Sequence, residues 1–382
     1  MKVLNMKKIL FIFGTRPEAI KMVPIIKIMQ KEKNISTKIC ITAQHRDMLD
    51  EVLNLFCILP DYDLNIMQEA QDLFSISTKA LSGLKEVLQD CNPNLVLVHG
   101  DTSTTFIASL SAFYFKVKIA HIEAGLRTND IYNPFPEEMN RQLTSRLASY
   151  HFAPTKSAFC NLVNEGIDKN SIFIVGNTAI DSFKLMEEKI KSSLALRKEI
   201  ERTLNLDFLK YSRIILVTAH RRESFGVDIE NIAYALKQIA LELKEVQIIY
   251  PLHPNPNIQI PMNKILNGVS NIHLIKPLNY ACFVYLMLNC YLILTDSGGI
   301  QEEATIASKP TLILRKTTER KEALDCAILK LVGTKKENIV NETLKLMNDR
   351  FYYESMLENN NFPYGKGDAS NKIMQFIKNL KI

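Results

Sequence analysis

The sequence predicts an α/β fold with two doubly wound parallel-sheet domains that face a central cleft. The chain has 382 residues, which is more than one hydrophobic core usually supports. Short apolar runs alternate with segments of helical periodicity, and this alternation is typical of βαβ units with parallel strands. The same alternation restarts after residue 183, so the two halves are expected to have similar architectures.

The elements of the first half follow from the spacing of apolar residues. Strands are predicted at 9–13, 37–42, 95–99, 117–122 and 151–153. Between them, residues 19–30 carry Ile20, Val23 and Ile26 at helical spacing, and residues 73–89 repeat the pattern. A parallel sheet covered by helices is therefore expected.

The second half repeats this order after a hinge. Strands are predicted at 213–218, 247–252, 271–275, 291–295 and 310–314. The hinge is placed at GNTAIDSF, residues 176–183, and at a Lys/Glu-rich helix from about 184 to 205 that has few residues suited to a core. The domains are thus 1–178 and 179–365, both Rossmann-like, and a helix at about 366–382 is expected to pack back on the first.

Composition excludes several classes of function. The net charge of +6 comes from 47 Lys and Arg against 41 Asp and Glu, which is modest for this length and indicates no nucleic-acid surface. Seven cysteines form no CxxC pair, which favours a reducing cytoplasm. No apolar run suits a membrane span or a signal peptide. The motifs of zinc sites, nicotinamide sites and ATPases are also missing, so neither metal nor cofactor is expected.

Acidic residues follow two of the predicted strands of the first half. Asp101 lies in HGDTSTT and Glu123 in HIEAGLRT, and the carboxyl ends of parallel strands form the ligand crevice of such sheets. Two carboxylates there can serve as acid and base. Arg127, Glu137 and Glu138 belong to the same segment and are expected at the same crevice. The alternative is that each acid caps the helix that follows it.

Basic residues begin the first predicted helix. GTRPEAIK follows a strand, and Pro17 suits the first helical residue. Arg16 and Lys21 are therefore candidates for binding an anion. The alternative is a solvated first turn, since Arg and Lys are usually exposed.

The second half contains a candidate phosphate site. LILTDSGGIQEEA predicts a strand, a turn at Ser297, Gly298 and Gly299, and a helix start. Glycines let a ligand approach the backbone closely, and the N-terminus of a helix attracts anions. Glu303, one turn into the helix, would accept hydrogen bonds from ribose hydroxyls. Simple capping by Asp296 or Ser297 remains an alternative.

Histidines fall into two groups. His220, Arg221 and Arg222 follow the strand 213–217, and a histidine at a strand end can titrate near neutrality. His45 and His253 are weaker candidates of the same kind. Three further histidines lie within predicted strands and are expected in the core: His99, His121 and His151.

Taken together, the motifs resemble one family, the non-hydrolysing UDP-N-acetylglucosamine 2-epimerases of the two-domain GT-B architecture. The resemblance spans nearly the whole chain. It rests on GTRPEAIKM, GDTSTT, HIEAGLRT, PFPEEMNR, VGNTAID, HRRESFG, TDSGGIQEEA and TTER, in this order.

The resemblance implies reversible interconversion of UDP-N-acetylglucosamine and UDP-N-acetylmannosamine. UDP leaves C1 as a base removes the C2 proton, which gives a 2-acetamidoglucal, and UDP then adds back. The family's acid, base and essential positions correspond to Asp101, Glu123, Glu137 and His220. Substrate-binding positions correspond to Arg16, Lys21, Phe283, Ser297, Gly298, Gly299, Glu303 and Arg320. Of these, Phe283 is expected at the uracil, while Arg320 and Lys21 contact substrate or support closure.

The resemblance also implies a homodimer, a role in polysaccharide biosynthesis, no cofactor, and a second UDP-N-acetylglucosamine that acts as an activator near Gln44 and His253. The chain departs from the family pattern at Leu278, Asn279 and Lys321, on the nucleotide side. These departures leave open another UDP-2-acetamido sugar as the substrate. Further alternatives are a hydrolysing epimerase of the same fold, a GT-B glycosyltransferase, or a catalytically idle UDP-sugar-binding protein, since fold alone does not fix function.

Overall fold

The computed structural model describes residues 6–43, 46–67, 72–205, 213–318, 320, 322, 326–358 and 360–381. The chain forms two compact units. Unit 1 comprises Met1–Ser182 and Tyr364–Ile382, and unit 2 comprises Phe183–Pro363. The predicted domain boundaries were 178 and 365. The chain passes from unit 1 to unit 2 after Ser182 and back after Pro363, within a few residues of those positions.

Unit 1 contains a seven-stranded sheet in which every pair is parallel. Its strands are β1 Lys7–Phe13, β2 Ile35–Ile41, β3 Tyr62–Asp63, β4 Leu95–His99, β5 Lys118–Ile122, β6 Tyr150–Ala153 and β7 Ile172–Ile174. The order is β3-β2-β1-β4-β5-β6-β7. The chain reverses its direction of winding between β1 and β4, and ligands bind at such a switch point in doubly wound sheets.

The helices of unit 1 connect these strands, as the apolar spacing predicts. They are α1 Arg16–Met29, α2 Arg46–Leu55, α3 Leu73–Cys91, α4 Ser103–Tyr114, α5 Glu137–Leu147 and α6 Lys156–Asn164. Local chemistry sets their ends. The Asp72 side chain accepts from the Ser75 N–H at the start of α3, and Asn92 ends it with φ of 41°. In α1, Pro17 is the second residue, not the first as predicted.

The connection between the units differs from the prediction of one polar helix. The chain forms α7 Thr178–Ser192 and α8 Leu194–Leu204 instead. The break occurs at Ser193, whose side chain accepts from the Leu196 N–H as an N-cap. Within 184–205 the buried residues are Met186, Ile190, Ile200 and Leu204, so only a few residues of this range enter the core.

Unit 2 contains a six-stranded parallel sheet of order β10-β9-β8-β11-β12-β13. Its strands are β8 Ile214–Thr218, β9 Gln247–Pro251, β10 Ile272–Ile275, β11 Leu292–Thr295, β12 Thr311–Ile313 and β13 Leu329–Leu331. Its further helices are α9 Val227–Glu242, α10 Pro256–Leu266, α11 Tyr280–Asn289, α12 Gly298–Ala307, α13 Lys336–Asn348 and α14 Arg350–Glu358. The switch point lies between β8 and β11.

The last helix, α15 Ala369–Asn379, packs on α1. Phe376 contacts Phe152 and Phe173 with ring centroids 5.4 and 4.3 Å away. The Lys7 ammonium donates to the carbonyls of Ile377, at 3.0 Å, and Lys378, at 2.7 Å, near the end of this helix. The C-terminus therefore completes unit 1.

The predicted α/β class with two parallel-sheet domains is confirmed. Three strands were not predicted, β3, β7 and β13, and each has only two or three residues at or near a sheet edge. Such short segments carry little periodicity. Across the described residues, no helix combines the length and apolarity needed to cross a bilayer.

Candidate active site

In unit 1, the loops after β1 and β4 are joined by one buried carboxylate. One Glu18 oxygen accepts from the backbone N–H groups of Gly14 and Thr15, at 3.1 and 2.8 Å. The other accepts from the hydroxyls of Thr102, at 2.7 Å, and Thr105, at 3.0 Å. Burial raises the pKa of Glu18, and the hydrogen bonds oppose that rise. Glu18 thus fixes the two loops that flank the switch point.

Gly14 is required where these loops meet. A Cβ at this position would lie 2.0 Å from the Thr42 hydroxyl and 2.6 Å from the Thr104 hydroxyl. Only a glycine allows this approach. Arg16, the first residue of α1, is half-buried beside this turn.

Asp101 follows β4 and is held by α5. Its carboxylate accepts from the Arg141 guanidinium at 2.6 Å, and its carbonyl accepts from the Asn140 amide at 3.0 Å. Arg141 also donates to the buried Glu138 at 3.1 Å. Glu138 in turn accepts from the Thr128 N–H at 3.1 Å. Glu138 therefore has internal partners, and the prediction that it lines the ligand crevice is not supported.

Glu123 follows β5 in a left-handed backbone conformation, with φ of 61°, which is uncommon for a residue with a Cβ. Its Oε2 accepts from the Lys21 ammonium and, at 3.0 Å, from the Asn177 amide. The Nε2 of His99 lies 3.9 Å from the same oxygen. Burial lowers the pKa of His99 to about 4, and Lys21 adds to that effect. His99 is therefore neutral at pH 7.

Glu137 is the first residue of α5 and is partly exposed. Among the described residues its carboxylate has no hydrogen bond or ion pair, so it is accessible to a ligand.

Arg127, in contrast, is paired within unit 1. Its side chain is 1% exposed and forms a bidentate pair with Glu165 at 2.6 and 2.8 Å. The expectation that Arg127 faces the crevice is therefore not supported, because its guanidinium links elements within unit 1.

In unit 2, the loops after β8 and β11 meet at a buried aspartate. Asp296 is 0% exposed, and one of its oxygens accepts from the backbone N–H groups of His220 and Arg221, both at 2.7 Å. Its other oxygen lies 3.7 Å from the His220 Nδ1. Burial lowers the pKa of His220, and Asp296 opposes this shift. Asp296 thus orients the loop that carries His220.

A second imidazole accompanies His220. The exposed His253 ring stacks on it, with centroids 5.5 Å apart and an interplanar angle of 17°. Two histidines predicted separately from the sequence are therefore neighbours. Gln44, His45 and Lys321 lie outside the described residues.

Helix α12 begins at Gly298, with Ser297 as its N-cap residue. A Cβ on Gly298 would lie 2.4 Å from the Arg320 guanidinium, so this glycine lets Arg320 reach the helix start. Arg320 also donates to Glu302 at 2.9 Å. No described atom lies within 4 Å of a Cβ built on Gly299. The helix start thus combines backbone N–H groups, a guanidinium and open space, which suits an anion.

Glu303 and Phe283 lie on neighbouring helices of unit 2. The Glu303 carboxylate is buried and accepts from the Tyr280 hydroxyl at 3.0 Å. Phe283 lies on α11 and is partly buried. Asn279, which departs from the family pattern, caps α11 by accepting from the Cys282 N–H at 2.7 Å.

Four residues that organise these loops were missed by sequence reasoning as parts of the site: Glu18, Arg141, Asn177 and Asp296. Glu18 had a usable signal, since Thr15 and Glu18 have the spacing of a capping box. Asp296 was considered only as a cap. The partners of Arg141 and Asn177 are 40 and 54 residues distant in sequence, and no local pattern indicates such pairs.

A family model described as UDP-N-acetylglucosamine 2-epimerase matches residues 27–378. The UDP-N-acetylglucosamine 2-epimerase of Campylobacter jejuni is 51% identical over 373 residues, which cover 97% of each chain. The crystal structure of the Neisseria meningitidis UDP-GlcNAc 2-epimerase bound to UDP-GlcNAc superimposes with a TM-score of 0.90 at 48% identity, covering 98% of this chain and 100% of that one.

A more distant solved structure has the same fold. The Methanocaldococcus jannaschii UDP-GlcNAc 2-epimerase, in complex with UDP-GlcNAc and UDP, is 32% identical, with a TM-score of 0.80 and coverage of 97% and 99%. The family match, the identities and the coverage agree with the motifs and with the two switch points described above. The chain belongs to the UDP-N-acetylglucosamine 2-epimerase family.

Proposed function

We propose that the chain interconverts UDP-N-acetylglucosamine and UDP-N-acetylmannosamine by elimination and re-addition of UDP. In the forward step a base takes the proton from C2. The C2–H electron pair forms the C1=C2 double bond, and UDP leaves C1 with the electron pair of the C1–O bond. Protonation of C2 on the opposite face and return of UDP to C1 give the epimer. No net oxidation or reduction occurs.

The observation that carries the proposal is the set of carboxylates at the strand ends of unit 1 in a chain of this family. Asp101 follows β4, Glu123 follows β5, and Glu137 is the first residue of α5. Paired carboxylates in different environments suit proton removal and return. Glu123 is held by Lys21 and Asn177, whereas Asp101 is held by Arg141.

Unit 2 is proposed to bind the UDP half. Charge grows on the pyrophosphate as it leaves, and the start of α12 with Ser297, Gly299 and Arg320 would stabilise that charge. Glu303 is proposed to accept hydrogen bonds from the ribose, and Phe283 to contact the uracil. His220 is proposed as an essential residue whose neutral imidazole, favoured by its lowered pKa, contacts the substrate.

The reaction is tested by proton NMR in deuterated water with UDP-N-acetylglucosamine. Appearance of UDP-N-acetylmannosamine deuterated at C2, with only traces of UDP, supports reversible elimination. Stoichiometric UDP with free N-acetylmannosamine would indicate a hydrolysing epimerase. No exchange would contradict the proposal and point to another UDP-2-acetamido sugar, to a glycosyltransferase or to a UDP-sugar-binding protein.

The carboxylate roles are tested by Asp101→Asn. We expect C2 exchange to fall by about 10² or more, since general acid–base catalysis contributes about that much, while UDP affinity measured by calorimetry is kept. Glu86→Gln on the exposed face of α3 is the matched control and should exchange at the wild-type rate. Intact exchange in Asp101→Asn would refute the assignment.

We further propose a cytoplasmic homodimer that supplies polysaccharide biosynthesis and binds a second UDP-N-acetylglucosamine as an activator. The Methanocaldococcus jannaschii structure contains both UDP-GlcNAc and UDP, and His253 lies beside His220; both facts support an activator site near His253, with Gln44 as a further candidate. Light scattering tests the dimer. Reverse-direction rates with added UDP-N-acetylglucosamine test activation, which His253→Ala should weaken.

A further inference from the structure

We propose that Asn177 is a positioning residue that holds the Glu123 carboxylate, and that it ties this carboxylate to the place where the chain leaves and re-enters unit 1. The proposal rests on the function proposed above and adds a residue to its site. Asn177 belongs to the GNTAIDSF segment, which the sequence analysis treats as a hinge and a family motif without giving this residue a role.

The contacts of Asn177 form a three-way junction. Its amide donates to the Glu123 Oε2 at 3.0 Å, and its own side-chain oxygen accepts from the Ala179 N–H at 2.9 Å at the start of α7. Its backbone N–H donates to the Tyr364 carbonyl at 2.8 Å. Asn177 is 3% exposed. A buried side chain with both ends of its amide engaged has one orientation.

The junction lies where both connections of unit 1 pass. The chain leaves unit 1 after Ser182 and returns at Tyr364. The preceding Gly176, with φ of 97°, lets these segments touch, because a Cβ there would lie 2.9 Å from the Tyr364 carbonyl oxygen. Any displacement of either connection would therefore act on Asn177.

The Glu123 carboxylate is held asymmetrically by its surroundings. Lys21 from α1, Asn177 before α7 and His99 from β4 all approach Oε2. Oε1 is 4.0 Å from the position of a Cβ on Gly100, on the side of the loop that carries Asp101. Together with Lys21, the amide of Asn177 thus holds the Glu123 carboxylate in the orientation that places Oε1 on the side of that loop. Proton transfer depends on such placement, because the base must reach the proton within hydrogen-bond distance.

Three substitutions separate the two roles of the Asn177 side chain, which caps the start of α7 and contacts Glu123. Asn177→Ala removes both. Asn177→Ser keeps a side-chain acceptor for α7, since Ser is a good N-cap, but is too short to reach Glu123. Asn177→Asp also keeps the cap and replaces the donor with a second negative charge. Thr155→Ala, which removes the N-cap of α6 by deleting the acceptor of the Ala158 N–H, controls for simple loss of a cap.

We expect kcat for C2 exchange to fall about tenfold or more in the Ser and Asp variants, with KM within about twofold, because a hydrogen bond to a charged group is lost. The pH profile of kcat for Asn177→Asp should shift to higher pH by roughly one unit, since a like charge disfavours the ionised form of Glu123. Both variants should also lose stability, because a buried hydrogen bond to a charged group is lost and the Asp variant buries a second negative charge; the positioning role is therefore decided by kcat, KM and the pH profile. Thr155→Ala should lose stability but keep kcat and the pH profile.

Wild-type kcat and pH profile in both the Ser and Asp variants would overturn the proposal. If the wild type itself shows no C2 exchange, the proposed function fails, and the positioning role is decided by NMR titration of ¹³C-labelled glutamate carboxyls. Glu123→Gln assigns the signal. The signal should titrate at higher pH in Asn177→Asp than in the wild type, and an unchanged titration would overturn the proposal in that case too.

Discussion

Acidification is expected to destabilise unit 1 through three buried histidines. Burial lowers the pKa of His99 to about 4, of His121 to about 3 and of His151 to about 4. In the unfolded chain each titrates near 6.5. Between these values the unfolded state binds more protons than the folded state, so stability is full above about pH 6.5 and is lost as pH falls toward the folded pKa.

The magnitude follows from these pKa values. Between pH 7 and pH 5, each of these histidines should remove about 2 kcal/mol from the free energy of unfolding. Glu18 and Asp181 act in the opposite direction, because burial raises their pKa values and the folded state then takes up protons more readily. The dependence of the free energy of unfolding on pH therefore contains both effects. A variant is needed to isolate the contribution of one histidine.

His151→Phe isolates one contribution. His151 is 1% exposed on β6, pairs with His121 across the sheet, and has no partner for its Nδ1 among the described residues. Urea unfolding at pH 7 and pH 5, followed by hydrogen exchange of peptides from β4 to β6, measures the loss for each protein. We expect the variant to lose about 2 kcal/mol less than the wild type.

The comparison does not depend on the absolute stability of the variant, since only the change between the two pH values is used. His253→Gln, an exposed histidine of unit 2, should leave the loss in unit 1 unchanged. Equal losses in His151→Phe and the wild type would refute the reasoning.

Three further predictions concern backbone and capping positions. Gly14→Ala should lower the free energy of unfolding by about 2–3 kcal/mol, because its Cβ would overlap the Thr42 hydroxyl; an unchanged melting temperature would contradict this packing. Gly299→Ala should keep the melting temperature, since its Cβ meets no described atom within 4 Å, but should weaken UDP binding in calorimetry; wild-type affinity would argue against a phosphate at this helix start. Asn279→Ala should lower stability by about 1 kcal/mol through loss of the α11 cap, and thermal melting that matches the wild type would show that the cap is dispensable.

The sequence predicted those parts of the fold that have a local cause. Strands such as β1 and β4 are continuous apolar runs, and α1 and α3 carry apolar residues at helical spacing. Parallel strands bring their carboxyl ends to one edge, so the loops with Asp101 and Glu123 could be assigned to that edge in advance.

The remainder depends on contacts between distant residues. Asp101 is paired with Arg141, and the Glu123 carboxylate accepts from the Asn177 amide. Neither pairing leaves a periodic pattern in the sequence from which it could be predicted. The break at Ser193 was missed for another reason, because the Lys/Glu-rich pattern continues across it although a capping serine is present.

The packing of α15 on α1 has a consequence for the order of folding during synthesis. Unit 2 is one continuous segment, whereas unit 1 needs Phe376 against the rings of Phe152 and Phe173. At about 5–20 residues per second, the ribosome adds the intervening stretch in roughly 10–40 s. During that time the aromatic surface of unit 1 lacks its cover while the ribosome makes unit 2. A shortened C-terminus would therefore harm the part of the protein that is made first.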